Sequence, residues 1–179
     1  MTQAHDLPPE VLVRGLTYAG FVLVAYQLVK SMIVGPIKLF YKDTTFGQGM
    51  PFKTYDDDVR ARHTSELHAC LLYLRDFMQA IDDADFNAIQ ALREHRDDLA
   101  HNLVHRLPIR SEEHQLLWER ADRAIFKLSN HRAFMEIGAD PEFQGLGIDW
   151  ETAAGGEYVL FQKAVESVRL LNEKAGDAG

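Results

Sequence analysis

The stretch from Pro9 to Val34 constrains the fold more than any other part of the chain. Apolar residues run through it almost without interruption, and Gly15 to Val29 carries no charge between Arg14 and Lys30. A helix that is apolar nearly all round has no face to give to water, so it is expected to lie in a core or between subunits. The remaining helices must then pack around it. The uncharged run, about 15 residues, is shorter than the ~20 that span a bilayer. It contains Tyr18, Tyr26 and Gln27, and no small-residue cleavage site follows it. A buried first helix in a cytoplasmic protein is therefore expected, with no membrane partner; the alternative is a membrane-associated segment.

Pro8 and Pro9, with Asp6 as cap, suit the start of this helix, and Gly35-Pro36 is expected to stop it. Residues 38–53 hold Gly47, Gly49 and Pro51 and read as a loop with a few aromatic anchors. Thr54 can cap a helix from Tyr55 to Ile81, with Asp56, Asp57 and Asp58 favoured by the dipole in its first turn. Leu67, Leu71, Leu74, Met78 and Ile81 form its apolar stripe, and Tyr73 and Phe77 are read as core packing. Asp82, Asp83 and Asp85 make the next turn and cap. A third helix covers Phe86 to Leu107, ended by Pro108.

Ser111, with Glu112 and Glu113, starts a fourth helix, with Leu117, Ala121, Ala124, Ile125 and Leu128 inward. Asn130 ends it, or it runs on to Ile137 with Gly138 as the stop. Residues 139–156 form a loop anchored by Phe143 and Trp150, before a last helix from Glu157 to Lys174. There is no alternating strand pattern, internal repeat or long linker. The expected fold is all-α: one domain over residues 1–179, an up-and-down bundle of about five helices, with 1–7 and 175–179 loose. The net charge of −8 argues against a broad nucleic-acid-binding surface but leaves room for a small basic site. The single cysteine, Cys70, excludes an internal disulfide, fits a reducing compartment and is expected to be buried and inert.

Titratable groups concentrate in one window, Leu92 to Leu107, which holds three of the eight histidines. On a straight helix Ala88, Ile89, Leu92, Leu99, Leu103 and Leu107 make the apolar face. Glu94, Asp98, His101 and His105 line the opposite one, with Asp97 at its edge. Arg96 falls among the leucines. A guanidinium keeps its charge, so it needs an acid on a neighbouring helix, a route to water, or an anion such as a phosphate in a cleft. Carboxylates and imidazoles spaced like Glu94, Asp98, His101 and His105 can also bind Zn or Fe. His63, His68, His114 or His131 would then have to supply the remaining ligands from other helices.

Arg96-Asp97-Asp98-Leu99-Ala100-His101 resembles the Arg-(four to six residues)-His signature of the HEPN superfamily of small α-helical domains. The polar residue after the arginine, the Leu-Ala-His run before Asn102 and the placing of the motif on the third helix are similar to that family. The resemblance implies a homodimer whose motifs meet in one cleft, and a metal-independent endoribonuclease of toxin or phage-defence type with no cofactor. It implies that His101 is a general acid/base at the RNA 2′-hydroxyl or leaving oxygen. Arg96 would stabilise charge on the scissile phosphate, and Asp97 would orient either of them. His105, Arg93 and Asn102 are candidates for substrate contact. An antitoxin is an expected partner; members paired with nucleotidyltransferase antitoxins often carry Tyr two residues beyond the histidine, where Leu103 stands here.

On a straight helix Arg96 and His101 point about 140° apart. Their convergence requires a break near Arg93 to Arg96 or a second protomer. The alternatives are a non-catalytic HEPN-like module that binds a nucleotide or a protein, and a metal-binding bundle built on Glu94, Asp98, His101 and His105.

Overall fold

The computed structural model describes residues 7–43, 53–109, 111–138, 140–143 and 145–176. The chain is an all-α helical bundle, with no strand among the described residues. The helices are α1 (Pro9–Asp43), α2 (Tyr55–Asp58), α3 (Glu66–Asp76), α4 (Asp83–Arg106), α5 (Gln115–Ala133) and α6 (Gly156–Gly176). The proposed Asp6 cap lies outside the described residues.

α1 is the rod against which α3, α4, α5 and α6 all pack. At 35 residues it is about 52 Å long. It passes through Pro36 to Asp43 instead of stopping at Gly35-Pro36, so the first part of the expected 38–53 loop is helical. Proline removes one backbone hydrogen bond. Ile33 and Ile37 are buried on either side of it in the same core, and they hold the helix together across the gap.

The inner side of α1 presents Tyr18, Val22, Ala25, Tyr26, Val29, Met32, Ile33 and Ile37 to that core. The outer side is not covered by the described residues: Val13, Leu16, Leu23 and Val24 are exposed. The all-round burial expected of this helix therefore holds for one face only. By length and composition α1 could cross a membrane, but 44% of its most apolar window is buried inside the protein.

The helix expected over 55–81 is divided. Thr54 caps α2 through a capping box with Asp57. A 3-10 turn at Arg60–Arg62 and extended backbone at His63 then interrupt the run before α3. The Ser65 N–H donates to His63 Nδ1 at 2.9 Å, a local bond that competes with helix continuation. α3 stops at Asp76, not Ile81. Gln79 takes a left-handed φ of 54°, and the Ala80 N–H reaches back six residues to the Leu74 carbonyl at 2.9 Å, closing the end of the helix.

Asp82 and Asp85 form the capping box that starts α4. A 3-10 turn (Ser111–His114) leads into α5, which continues as a π turn over Phe134–Gly138, the longer of the two expected ends. α6 extends through Gly176, into the tail expected to be loose. One contiguous core joins α1 and α3 to α6, including the buried Leu92, Leu99, Trp118, Ile125 and Phe161.

Candidate functional site

α4 is regular through His101 and kinks at Asn102, whose φ of −118° and ψ of 24° lie outside the helical range. The kink is not at Arg93 to Arg96, where convergence of the motif residues would have needed it. It coincides with a bracket on one face. The Asn102 amide donates to Asp98 Oδ1 at 2.8 Å, and Arg106 reaches Asp98 Oδ2 at 2.7 Å from the far side of the bend. These two donors, Asn102 first, hold the Asp98 carboxyl below its ordinary range. Beyond the kink the Leu107 carbonyl lies so close to α1 that only a glycine, Gly15, fits opposite it.

Among the described residues Arg96 does not pair with an acid on a neighbouring helix. Its guanidinium sits over the Tyr26 ring of α1, 4.1 Å from the centroid, and pairs with Asp97 of its own helix at 2.7 Å. A cation on an aromatic face is stabilised by the ring quadrupole, so this half-buried charge is tolerated among leucines. Its Nε is buried with no hydrogen-bond partner. Arg93 lies 3.7 Å from the other oxygen of Asp97, so one carboxylate serves two guanidinium groups. Arg93 also makes a long 3.5 Å bond to Gln90.

His101 is exposed, and its Nδ1 lies 2.7 Å from the Asp97 carbonyl. A carbonyl only accepts, so Nδ1 carries the proton, and Nε2 of the neutral ring keeps a free lone pair. Asp97 therefore touches both motif partners, Arg96 through its carboxylate and His101 through its backbone. Arg96 leans inward on Tyr26 while His101 faces out, so one chain does not place them in one cleft. His105 is exposed past the kink.

The metal alternative fails on geometry. Among the described residues no three His, Cys, Asp or Glu side chains come close enough to hold an ion. Asp98 is occupied by Asn102 and Arg106, and the bend carries His105 off the line of Glu94, Asp98 and His101. His63 and His68 stack on each other 4.0 Å apart instead of converging on that stripe.

A second polar cluster was not anticipated. Trp118 Nε1–H donates to the Tyr18 hydroxyl at 3.1 Å, and that hydroxyl lies 3.0 Å from His95 Nε2. Indole only donates, which leaves the Tyr18 proton available to His95 Nε2. The His114 ring lies 4.2 Å from that of His95. Burial, followed by the neighbouring His114, drops the His95 pKa to about 4, and burial also lowers that of His114. The Tyr18 hydroxyl is pushed up by burial. These residues come from α1, α4, α5 and the 3-10 turn before α5, up to 100 positions apart, so no local pattern joins them. The one local sign was a tyrosine in an otherwise apolar run. Cys70 is buried and its thiol pKa is raised by that burial, as befits an inert core residue.

Comparison with family models, with characterised proteins and with solved structures finds no match.

Proposed function

We propose that this chain is a HEPN-like, metal-independent endoribonuclease of toxin or phage-defence type, acting as a homodimer with a composite Arg/His cleft. The observation that carries the reading is the double role of Asp97. Its carboxylate holds Arg96 at 2.7 Å and its carbonyl fixes His101 at 2.7 Å with Nε2 free towards solvent. That is the tautomer a general base needs.

In the reaction His101 Nε2 takes the proton of the RNA 2′-hydroxyl. The 2′-oxygen attacks the adjacent phosphorus, the P–O5′ bond breaks, the leaving 5′-oxygen takes up a proton from water, and His101 returns its proton to the solvent. The products are a 2′,3′-cyclic phosphate and a 5′-hydroxyl. Arg96 of the second copy, with a planar fork suited to phosphate oxygens, neutralises the charge that develops. A second copy is part of the proposal because the helix is unbroken between Arg96 and His101.

The test is cleavage of a labelled single-stranded RNA by the purified full chain in EDTA. Wild type is expected to yield cyclic-phosphate ends, and His101→Ala to lose the activity while remaining folded. Intact RNA with wild type would overturn the reading.

One observation favours a second reading, a binding module without turnover. Arg96 is already engaged by Tyr26 and Asp97 within its own chain. Nucleotide binding without cleavage, equal in wild type and His101→Ala, would select it.

A further inference from the structure

Two imidazoles lie side by side where the turn after α2 meets α3. The His63 and His68 rings stack with centroids 4.0 Å apart, and the Phe86 ring of α4 meets His68 edge to face. Each ring is also held at one nitrogen. His63 Nδ1 accepts the Ser65 N–H at 2.9 Å. His68 Nδ1 lies 3.1 Å from the Gln90 amide nitrogen, and the Gln90 amide oxygen takes the Arg93 guanidinium at 3.5 Å. Arg93 can only donate, which fixes the Gln90 amide with its oxygen towards Arg93 and its N–H towards His68. Both rings therefore accept at Nδ1, and each neutral ring carries its proton on Nε2. His101, with a free lone pair at Nε2, is the reverse case.

What these side chains have left to offer is donors. Arg93 sits 3.5 Å from Gln90 and 3.7 Å from Asp97, both beyond an ordinary hydrogen-bond length, and 34% of its side chain is exposed. Asp97 is held more closely by Arg96, at 2.7 Å, so two guanidinium groups share one carboxylate and a positive charge is left over. The nearby acids Asp76 and Asp83 are taken by Arg75. Among the described residues no carboxylate pairs with either imidazole. Burial, then the basic groups His63, Arg93 and Arg75, hold the His68 pKa below its ordinary value. In a chain with 27 acids against 19 lysines and arginines, a donor cluster without an acid of its own calls for an anion from outside.

We propose that His63, His68 and Arg93, aligned by Gln90, form a phosphate-binding site. A guanidinium fork matches phosphate oxygens, and imidazole N–H groups can donate to the same oxygens. His63 is exposed and Arg93 partly so, which leaves the site open to a ligand. Arg93 and Arg96 meet on Asp97, so the site is continuous with the motif. That its phosphate belongs to an RNA strand, next to the one at Arg96 of the same copy, rests on the ribonuclease reading. That it takes a phosphate does not.

Titration of the full chain with inorganic phosphate, followed by NMR of the imidazole and guanidinium signals, tests the site, with chloride at equal ionic strength as the blank. Wild type is expected to saturate. Arg93→Gln should bind about tenfold more weakly and His63→Ala about threefold, while Lys163→Gln, exposed on α6, should match wild type. Shifts that do not saturate, the same shifts with chloride, or unchanged affinity in folded Arg93→Gln and His63→Ala would overturn the proposal. A single-stranded 2′-O-methyl RNA, which has no 2′-hydroxyl and so stays intact, separates the sources of phosphate. If a strand supplies it, Arg93→Gln lowers the slope of log K against log salt by about 0.7. Phosphate binding weakened by Arg93→Gln, with RNA affinity and slope unchanged, assigns the site to free phosphate or a mononucleotide. RNA cleavage by a wild-type chain that shows no phosphate saturation would remove this site and leave the ribonuclease reading standing. Saturable phosphate binding by a chain that leaves RNA intact would do the reverse.

Discussion

His95 and His101 lie on the same helix and are the same side chain, yet they are set to opposite tasks. His95 lies against Tyr18 and His114, is hydrogen-bonded to Tyr18 through Nε2 and is held neutral down to about pH 4. His101 is exposed, donates from Nδ1 to the Asp97 carbonyl and keeps Nε2 for something outside the chain. The difference teaches that a histidine count identifies a region of interest and nothing finer. What each ring can do is decided by partners that come from other helices or from the backbone.

If the His95 region is structural and the His101 region is not, substitutions should separate stability from activity. The largest stability effect belongs to Gly15→Val, which drives a branched side chain into the Leu107 carbonyl behind the His95 cluster. A loss of about 3 kcal/mol in urea unfolding is expected, at the upper end for overpacking. Tyr18→Phe should come next. It leaves the Trp118 N–H and His95 Nε2 without their shared partner, and a loss of about 2 kcal/mol in the same measurement is expected.

A smaller effect is the pH dependence. The His95 pKa is about 4 in the folded chain against 6.5 for an ordinary histidine, so the unfolded chain binds the proton first as the pH falls. Stability should be flat above pH 6.5 and fall between there and pH 4. The loss is on the order of 1–2 kcal/mol once partial exposure is discounted. His114, lowered in the same direction, adds to the slope. Denaturant titrations at several pH values check this, and His95→Gln should flatten the curve. Smallest of all, His101→Ala should change stability by less than about 0.5 kcal/mol, as expected for an exposed side chain. A large loss there would erase the contrast between the two regions.

Local chemistry was readable in advance and long-range chemistry was not. The capping boxes at Thr54/Asp57 and Asp82/Asp85 depend on residues three apart, and both helix starts were legible. Pro36 misled because its effect on a helix depends on what the neighbouring turns bury. The interruption between α2 and α3 depends on His63 bonding to Ser65, a choice of side-chain acceptor that periodicity does not report. Arg96 was recognised as an anomaly, but its solution, the Tyr26 ring, lies on another helix. The cluster of Tyr18, His95, His114 and Trp118 exists only once α1, α4 and α5 have packed together.

The central claim is that Arg96 and His101 act together only when two copies supply them. Mixing Arg96→Ala protein with His101→Ala protein tests this directly, each being inactive alone. Half of the dimers formed are mixed, and each mixed dimer regains one intact site. Cleavage is therefore expected to return to about a quarter of the wild-type rate. Two folded, dimerising variants that remain silent when mixed, beside an active wild type, would contradict it.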